Sequence, residues 1–518
     1  MKKKLKNSYL IPMIITSIVF AFFASFVDFE LKSFLVKLLM YLILVPVGFY
    51  AFIKIKKLLS QVEPITNAYS YIENLCYGLT DIKIFLLFWV VLIIGYMPAF
   101  FALFPGTFGY DAPLQIAQYF GDSELTLQHP IAHTYFMGIC LSIGNLVFNS
   151  YNIGFAIYTI LQALIVTACI AYSFLFCKRC NVSIIWIFLG MLWLIKNPFL
   201  QLLLFSSTKD VLFGAFSLGL VVSLGDILFF DNRTKYVNLR LIVFGVLFCL
   251  FRNQGIYILI VLLPCFLLFR IWNKKIYLCV IVSIIITYLF QGVCTTVFHI
   301  PEGNKREMLS VPMQQMAYVA LEYPESLTEE QMSTLLEIIP LEGIKAYDPS
   351  KADSVKDTFM TEMLFKDFGK HLRNYIDIGL QNPSKYVQAW KWLIHWYWDT
   401  SENTVKGLTI SYTFPQMNRW EIKHSNLFPA YYQRLTAVAQ SSDLLLYERT
   451  EICLWVMVIL SVVAATKRNR KLMLLMMPLV LYFGTTLLGP VALIRYLYPL
   501  SISTPLLFSM LFAKAIDK

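Results

Sequence analysis

Runs of apolar residues long enough to cross a lipid bilayer recur along most of this chain. A spanning helix needs about 20 mostly apolar residues, and only helices or closed barrels satisfy their backbone groups in lipid. Charged residues make up 14% of the 518 residues, against about 25% in a typical soluble domain. The sequence therefore predicts an all-α polytopic membrane protein. The twelve predicted spans lie near residues 9–27, 33–53, 82–104, 152–177, 183–205, 209–230, 238–251, 254–271, 276–297, 451–466, 472–489 and 496–513.

The basic residues predict the orientation of these spans, because Lys and Arg are enriched in cytoplasmic loops. A further apolar run, 131–148, would move Lys178 and Arg179 outside if it crossed the membrane. As a juxtamembrane or re-entrant helix, it leaves every basic cluster inside. We therefore expect a plasma-membrane protein with twelve spans and both termini cytoplasmic, its first helix being a retained anchor. The inner clusters are Lys2, Lys3, Lys4, Lys6, Lys54, Lys56, Lys57, Lys178, Arg179, Arg233, Lys235, Arg270, Lys274, Lys275, Lys467, Arg468, Arg470, Lys471, Lys514 and Lys518.

Charge and cysteine content exclude several classes of function. The net charge of +11 sits at alternate helix ends, where it reports topology and contact with anionic lipids, so we expect no nucleic-acid partner. The Cys177-Lys-Arg-Cys180 spacing has no second Cys or His pair to complete a zinc site. The sequence contains no P-loop, GxSxG or HExxH motif, which disfavours nucleotide, serine or zinc hydrolysis.

The topology divides the chain into three parts. Residues 1–297 form an N-terminal transmembrane module with a first extracytoplasmic loop at 105–150, and residues 451–518 form the C-terminal transmembrane helices. The segment 298–450 is polar and mainly helical, with a helix start capped by Thr328 or Ser326 and helical periodicity over 354–380. We expect it to cover a membrane cavity.

Two spans contain breaks that point to a wet cavity near the outer face. Residues 238–251 stop at Arg252-Asn-Gln-Gly255, and Lys196-Asn-Pro198 interrupts 183–205, where proline must kink a helix. Irregular backbone at membrane depth is tolerated only inside protein or beside a water-filled cavity.

Charged residues predicted at the outer face are candidates for function, because an ionisable group at the membrane is expensive. Asp111 ends the turn Phe104-Pro-Gly-Thr-Phe-Gly-Tyr-Asp111, and Pro105 to Pro130 contains no basic residue. Lys209 and Asp210 open a helix after three hydroxyl residues, which makes a ready anion site. Arg252 lies at a helix break and Arg495 at the mouth of the last span.

Each of these residues also has a structural interpretation. Asp111 fits a turn and Asp210 a helix N-terminus, while the arginines could extend to lipid head groups. Their convergence on one face favours a phosphate site. His129 and His133, four residues apart, could share a helix face and bind metal, but hydrogen bonding at a helix start is the favoured interpretation. The predicted substrate contacts are Tyr110, His129, His133, Lys196, Asn253 and Tyr496.

This pattern resembles the GT-C superfamily of integral-membrane glycosyltransferases, which includes protein O-mannosyltransferases, oligosaccharyltransferases and the bacterial aminoarabinose transferase. The matching features are the outer-loop acid Asp111, juxtamembrane helices at 113–121 and 129–148, the Lys209-Asp210 pair and Arg495-Tyr-Leu-Tyr-Pro499. More narrowly, the chain looks like an uncharacterised family of such proteins in low-GC Gram-positive bacteria. Unlike the superfamily pattern, the first acid has no acidic residue beside it or two positions on.

The resemblance implies a polyprenyl-phosphate-linked sugar donor and an extracytoplasmic acceptor, which is a cell-wall glycan, teichoic acid, lipid or protein. Asp111 is the expected general base of an inverting transfer, and Lys209, Arg252 and Arg495 would hold the donor phosphate. Asp210 would orient Lys209, or hold Mg²⁺ or Mn²⁺ together with Asp111. The alternatives are a lipid-linked-glycan flippase or transporter and an O-antigen-type polymerase or ligase. A flippase needs a path open to both membrane faces, whereas the intramembrane charges are predicted only in the outer half.

Overall fold

The structure is a computed structural model that describes residues 2–26, 31–59, 73–230, 236–398, 419–440 and 445–513, apart from 75, 77, 446, 447 and 512. The basic clusters predicted at Arg233 and Lys235 and at Lys514 and Lys518 lie outside the described residues. The protein is an all-α polytopic membrane protein. Only isolated β-bridges interrupt the helices and turns of the described residues: Thr107–Ser206, Asp348–Lys351 and Lys351–Val491.

The N-terminal half contributes the largest helices. They are α1 (Lys2–Ala24), α2 (Leu31–Leu59), α3 (Asp81–Leu103), α4 (Ala112–Phe120), α5 (Ile131–Phe148), α6 (Tyr151–Arg179), α7 (Ile184–Lys196), α8 (Pro198–Leu204), α9 (Lys209–Phe230), α10 (Val237–Leu250), α11 (Gly255–Leu268) and α12 (Lys274–Thr296).

The helices of the C-terminal half are shorter, and the last three of them return to the bundle. They are α13 (Ser310–Glu322), α14 (Glu329–Leu336), α15 (Leu341–Lys345), α16 (Asp353–Lys356), α17 (Thr361–Lys366), α18 (Phe368–Gln381), α19 (Pro383–Ile394), α20 (Pro429–Gln440), α21 (Ile452–Thr466), α22 (Arg470–Thr486) and α23 (Tyr498–Met510).

The number of full-length membrane helices is smaller than the twelve predicted from apolar runs. Within the described residues, six helices are long and apolar enough to cross a membrane, namely α2, α3, α5, α6, α9 and α12. A seventh is obtained if α7 and α8 count as one span, which bends by 67° at the predicted Asn197-Pro198 break. The other predicted spans are helical, but their apolar helices within the described residues are shorter, as in α10 and α11 on either side of Arg252.

Helix α9 is the centre of the bundle. Its whole membrane-length window is buried, and it packs against α6, α10, α22 and α23. Since the final helices α22 and α23 share this core, residues from both ends of the chain surround α9. Whatever charge α9 carries is therefore held in the interior of the protein.

Helix α5 packs antiparallel to the first part of α6. His133 contacts Tyr158, and Gly144 lies against Gly154. Helix α5 is long and apolar enough to span the membrane, so the juxtamembrane alternative stays a prediction.

Residues 305–394 form a helical unit with a core of its own, built from α13 to α19. The predicted Thr328 cap is confirmed as a capping box with Gln331, but the periodic stretch 354–380 is divided among α16, α17 and α18. The unit joins the bundle through Trp390, whose Nε1 donates to the Leu487 carbonyl at 2.9 Å, and through Trp398, which packs on Phe23 and Phe26.

Candidate active site

The loop that carries Asp111 is fixed to the start of α9 by backbone pairing. The Thr107 N–H donates to the Phe205 carbonyl at 2.8 Å, and the Ser207 N–H donates to the Thr107 carbonyl at 3.0 Å. Gly106 has a φ of 130° and lies against Thr159 and the Phe205 carbonyl. A side chain at this position would be strained and would collide with both, so glycine permits the close approach of the two segments.

Asp111 and Lys209 consequently meet at the junction of these segments. Lys209 Nζ lies 2.9 Å from Asp111 Oδ2 and 3.3 Å from His129 Nδ1. Arg495 Nη1 is 3.9 Å from the same Asp111 oxygen. Asp111 keeps about 30% of its side chain exposed, whereas Lys209 and Arg495 are 17% and 11% exposed. The Asp111 carboxylate is thus the most exposed of these three charged groups.

Asp210 holds the two arginines on the inner side of the cluster. It is fully buried and pairs with Arg252 Nη1, and its Oδ2 lies 3.8 Å from Arg495 Nε. Thr208 Oγ1 donates to Asp210 Oδ2 at 2.8 Å. The expectation that Asp210 orients Lys209 is therefore wrong in this structure. The ammonium points to Asp111, while Asp210 positions Arg252 and Arg495.

Arg495 is held by charge and by aromatic rings, which leaves its hydrogen-bonding capacity open. Its guanidinium carbon lies 4.8 Å from the Tyr110 ring and 5.1 Å from the Tyr496 ring, and Nη2 donates to Tyr496 Oη at 3.4 Å. Among the described residues, its buried Nε and Nη1 find no hydrogen-bond partner. Buried donors without partners are expensive, and a guanidinium fork matches a phosphate.

Tyrosine side chains from several elements lie beside the charged cluster. Tyr110 has a φ of 56°, in the left-handed region that a bulky residue adopts only when its surroundings impose it. Arg252 Nη1 donates to Tyr482 Oη at 3.3 Å, and Tyr482 Oη donates to the Tyr496 carbonyl at 2.7 Å. Tyr482 was not predicted from sequence, because an isolated tyrosine in an apolar helix gives no signal.

The electrostatic environment acts on both Asp111 and His129. Burial alone would raise the pKa of Asp111, but Lys209 and Arg495 outweigh it and hold that pKa well below its ordinary value. Burial, reinforced by Lys209, lowers the pKa of His129 to about 4, with Asp111 opposing the shift only in part. Near neutral pH, Asp111 is therefore ionised and His129 is uncharged, so His129 accepts a hydrogen bond from Lys209.

His129 and His133 do not share a helix face as predicted, because Pro130 is the N-cap of α5 and His129 precedes the helix. His129 joins the Asp111 cluster. His133 is fully buried, with Nδ1 3.2 Å from Gln115 Oε1 and Nε2 2.9 Å from Tyr158 Oη. It belongs to a support beneath the site rather than to the substrate surface.

That support reaches the segment before Lys209. Tyr158 Oη donates to Gln162 Oε1 at 2.7 Å, and Gln162 Nε2 donates to the carbonyls of Leu204 and Ser206, each at 2.8 Å. The chain His133–Tyr158–Gln162 therefore fixes the backbone that delivers Lys209 and Asp210. Gln162 lies in an apolar helix, and its two carbonyl partners are not visible in the sequence.

Two other predicted contacts have different positions. Asn253 Nδ2 donates to the Leu127 carbonyl at 2.7 Å, so it ties the break after α10 to the segment leading to His129. Lys196 lines a separate pocket with Gln201, Tyr431 and Arg434 at the α7–α8 break. Of the sequence-predicted residues, the structure brings together Asp111, Asp210, Lys209, Arg252, Arg495, Tyr110, His129 and Tyr496.

The carboxylates do not fit the divalent cation proposed for them. Asp111 is paired with Lys209 and Asp210 with Arg252, and Arg495 faces both acids. Within the described part of the chain, no three His, Cys, Asp or Glu residues are grouped as metal ligands. Three cations around two carboxylates disfavour the addition of Mg²⁺ or Mn²⁺ and favour an anion.

A second buried charge cluster corrects the expectation that charge is confined to the outer half of the membrane. Asp226, near the other end of α9, is fully buried and accepts from Arg179, Arg240 and Tyr172. Arg179 also pairs with Asp81 at 3.0 Å. Every donor to Asp226 is itself part of the helix bundle, which indicates a structural clamp joining α3, α6, α9 and α10.

Comparison with known proteins places most of the chain in one family. Residues 120–517 match DUF6020, a family of unknown function. The chain belongs to the DUF6020 family. No protein with a curated function is significantly similar to it in sequence.

One solved structure similar to this DUF6020 protein is that of ArnT from Cupriavidus metallidurans bound to undecaprenyl phosphate. The two share 12% identity, with 81% of this chain and 77% of that chain covered and a TM-score of 0.33. At this level of similarity, the function has to be argued from the side chains of the site.

Proposed function

We propose that this DUF6020 protein is an integral-membrane glycosyltransferase of GT-C type, with its active site on the extracytoplasmic side. It would transfer a sugar from a polyprenyl-phosphate donor to a cell-wall glycan, teichoic acid, lipid or protein. The observation that carries the proposal is the single cluster in which Asp111 and Asp210 are interleaved with Lys209, Arg252 and Arg495. Such a cluster supplies both a base and a phosphate site, the two parts that this transfer needs.

The charge of the cluster suits a donor with one phosphate. With His129 uncharged, three cations and two carboxylates leave a net charge of +1. A sugar phosphodiester carries one negative charge, so its binding would neutralise the site. Nε and Nη1 of Arg495 face the Asp210 and Asp111 carboxylates at 3.8 Å and 3.9 Å without hydrogen bonding to them, so the Arg495 guanidinium is the cation freest to donate hydrogen bonds to a donor phosphate.

Donor binding would also activate Asp111. In this structure, Lys209 and Arg495 hold the carboxylate in its ionised form, which makes it a weak base. A phosphate that draws the same two cations away from Asp111 raises the pKa of the carboxyl. Asp111 would therefore become an effective base only when the donor is in place.

The reaction itself keeps the site neutral. The acceptor oxygen attacks the anomeric carbon, its proton passes to Asp111, and the bond from that carbon to the phosphate oxygen breaks with its electron pair on the phosphate. The second negative charge gained by the polyprenyl phosphate is offset by the proton on Asp111. Lys209, Arg252 and Arg495 stabilise the charge that develops on the leaving group. One displacement inverts the anomeric configuration.

The test is transfer of labelled sugar from a short-chain polyprenyl-phosphate donor to water or acceptor by purified wild type and Asp111→Asn. Loss of general-base help should lower turnover by about 10²–10⁴-fold, with donor binding retained. Glu421→Gln is a matched control, because Glu421 is an exposed acid outside the cluster.

Full turnover by folded Asp111→Asn would refute the role of Asp111 as the general base. Donor binding without turnover in either protein would instead support a flippase or transporter, and transfer of a whole glycan chain would support a polymerase or ligase.

A further inference from the structure

Helix α18 carries an apolar stripe on the side facing away from the helical unit's own core. Phe368, Leu372, Ile376 and Leu380 recur every four residues and therefore line one face of the helix. They are 47%, 42%, 47% and 76% exposed. Four large apolar side chains at these exposures form the kind of patch that marks a contact with a membrane or a protein.

The opposite face of α18 is already occupied. His371, Asn374 and Ile378 are 3%, 9% and 0% exposed, and Asn374 Nδ2 donates to the Gln331 carbonyl at 3.0 Å. Helix α18 thus packs into its unit through a mixed face, while its most apolar face points outward. Because the stripe does not pack into the core of the helical unit, the apolar character of this face needs another explanation.

The stripe begins close to where α12 ends. The end of α12 is closed by backbone bonds from Phe298 to Val293 and from Ile300 to Cys294. Only residues 301–304 then separate Ile300 from Lys305, which five extended steps hold within about 18 Å of each other. Lys305 Nζ lies 5.6 Å from the Phe365 ring, and that ring stacks on Phe368 with 6.1 Å between the centroids.

The surface between α12 and the stripe is apolar as well. Val297 and Phe298 at the end of α12 are 63% and 66% exposed, and Phe365 is 48% exposed. Helix α12 is one of the helices that can cross the membrane. These exposed apolar side chains therefore extend a membrane-facing surface from the end of α12 toward α18. The exposed charges beside the stripe are mixed, with Lys366 and Arg373 near Asp367 and Asp377, so the apolar surface itself is what supports a contact with lipid.

We propose that the α18 stripe is a membrane-docking surface that inserts into the leaflet adjoining the C-terminal end of α12. It would anchor the helical unit at a second point, besides its contacts with the bundle at Leu487 and Pro490. Such docking would fix the height of the unit above the bilayer. This inference needs only the membrane location of the bundle and is independent of the proposed transferase activity.

The test places a fluorophore on the stripe of the full-length protein in phosphatidylcholine–phosphatidylglycerol vesicles, with or without bromine on the lipid acyl chains. All ten native cysteines are buried, so Ile376→Cys and Leu380→Cys can be labelled selectively. Ser333→Cys is the matched control, since it is exposed on α14, the helix that contacts the buried face of α18 through Gln331 and Asn374. Labels at 376 and 380 should lose emission in brominated vesicles, while the label at 333 keeps it.

A second variant separates docking from misfolding. Leu372→Ser with Ile376→Ser should fold normally, because both side chains are exposed, and should abolish the quenching at Leu380→Cys. Equal emission in brominated and plain vesicles at 376 and 380 would overturn the proposal. Disulfide crosslinking of Leu380→Cys between two copies, without lipid quenching, would overturn it in favour of a second copy as occupant.

Discussion

Lys209 Nζ lies 2.9 Å from Asp111 Oδ2, so the candidate base and a candidate phosphate ligand neutralise each other in the absence of substrate. The two residues come from segments about a hundred positions apart that pair through Thr107 and Ser207. The ion pair predicts that the protonation of Asp111 depends on what else Lys209 contacts. This dependence can be measured.

The first prediction concerns pH. The pKa of Asp111 lies well below its ordinary value because of Lys209 and Arg495, and a donor phosphate that takes up these cations raises it. The acid limb of kcat/KM reports the free enzyme and that of kcat the donor complex. The kcat limb should therefore lie at the higher pH, as measured by initial rates of sugar transfer.

The control for this prediction is Lys209→Met. Removing the cation withdraws stabilisation from the ionised carboxylate, so the pKa of Asp111 rises in the free enzyme. The acid limb of kcat/KM should then move up toward that of kcat. Superimposed limbs in the wild type would contradict the idea that the donor releases Asp111.

The second prediction separates the two arginines. Arg495 faces the two carboxylates with buried Nε and Nη1 atoms that make no hydrogen bond, whereas Arg252 is hydrogen-bonded to Asp210 and Tyr482. Arg495→Lys keeps the charge but loses the fork. Loss of a charged hydrogen bond worth about 1.5–3 kcal/mol should weaken donor binding by roughly 10–100-fold. Equilibrium binding of a labelled polyprenyl phosphate is the measurement.

Arg252→Lys is the matched comparison. Its main effect should be on thermal stability, because it disturbs the partner of a fully buried carboxylate. Donor binding by the remaining folded protein should fall less than in Arg495→Lys. Equal losses of donor binding in the two variants would show that Arg495 has no special role.

The third prediction concerns stability in acid. Since His129 has a pKa of about 4 in the folded protein and about 6.5 when unfolded, the unfolded chain binds the extra proton between these values. Stability should therefore fall as pH drops from 6.5 to 4, by at most about 3 kcal/mol from this residue. His129→Asn should lose less thermal stability than wild type over this window. An identical loss in the two proteins would remove His129 as the cause.

The fourth prediction concerns metal removal. Both carboxylates of the site are already engaged by cations, so the proposed transfer should persist in EDTA at an unchanged rate. Labelled-sugar transfer before and after chelation measures this. Loss of activity in EDTA that Mg²⁺ or Mn²⁺ restores would show that the ion pairs rearrange to admit a metal.

Much of the site was predictable because charge is rare in this chain and its position is therefore informative. Asp111, Lys209, Asp210, Arg252 and Arg495 were selected as costly charges at one membrane face, and the structure places them in one cluster. The predicted topology placed the five residues on one face, and the contacts that join them come from the folded structure. No distance between them was needed to select them.

The pairing within the cluster could not be predicted, since it depends on side-chain direction across distant segments. Lys209 turns to Asp111 rather than to its neighbour Asp210. Pro130 begins α5 one residue after His129, so the four-residue spacing to His133 does not place both on one face. Lys196 follows the 67° bend at its helix break into another pocket. In each case local geometry decides what the pattern left open.

The last prediction tests the buried charge at the other end of α9. Asp226 lies sixteen residues after Asp210, about 24 Å along the helix, and accepts from Arg179 at 3.0 Å, Arg240 at 3.3 Å and Tyr172 at 2.7 Å. Breaking such a buried pair typically costs about 3–5 kcal/mol, because the partners remain buried and uncompensated. Asp226→Asn should therefore lower the thermal unfolding temperature markedly, while transfer per folded molecule stays close to wild type.

Asp81→Asn is the matched control for this prediction. The Asp81 carboxylate is 47% exposed, so removing its contact with Arg179 should destabilise the protein far less. A transport pathway along α9 would instead require Asp226 for turnover, and folded Asp226→Asn that bound donor but had lost transfer would show that the inner cluster takes part in function.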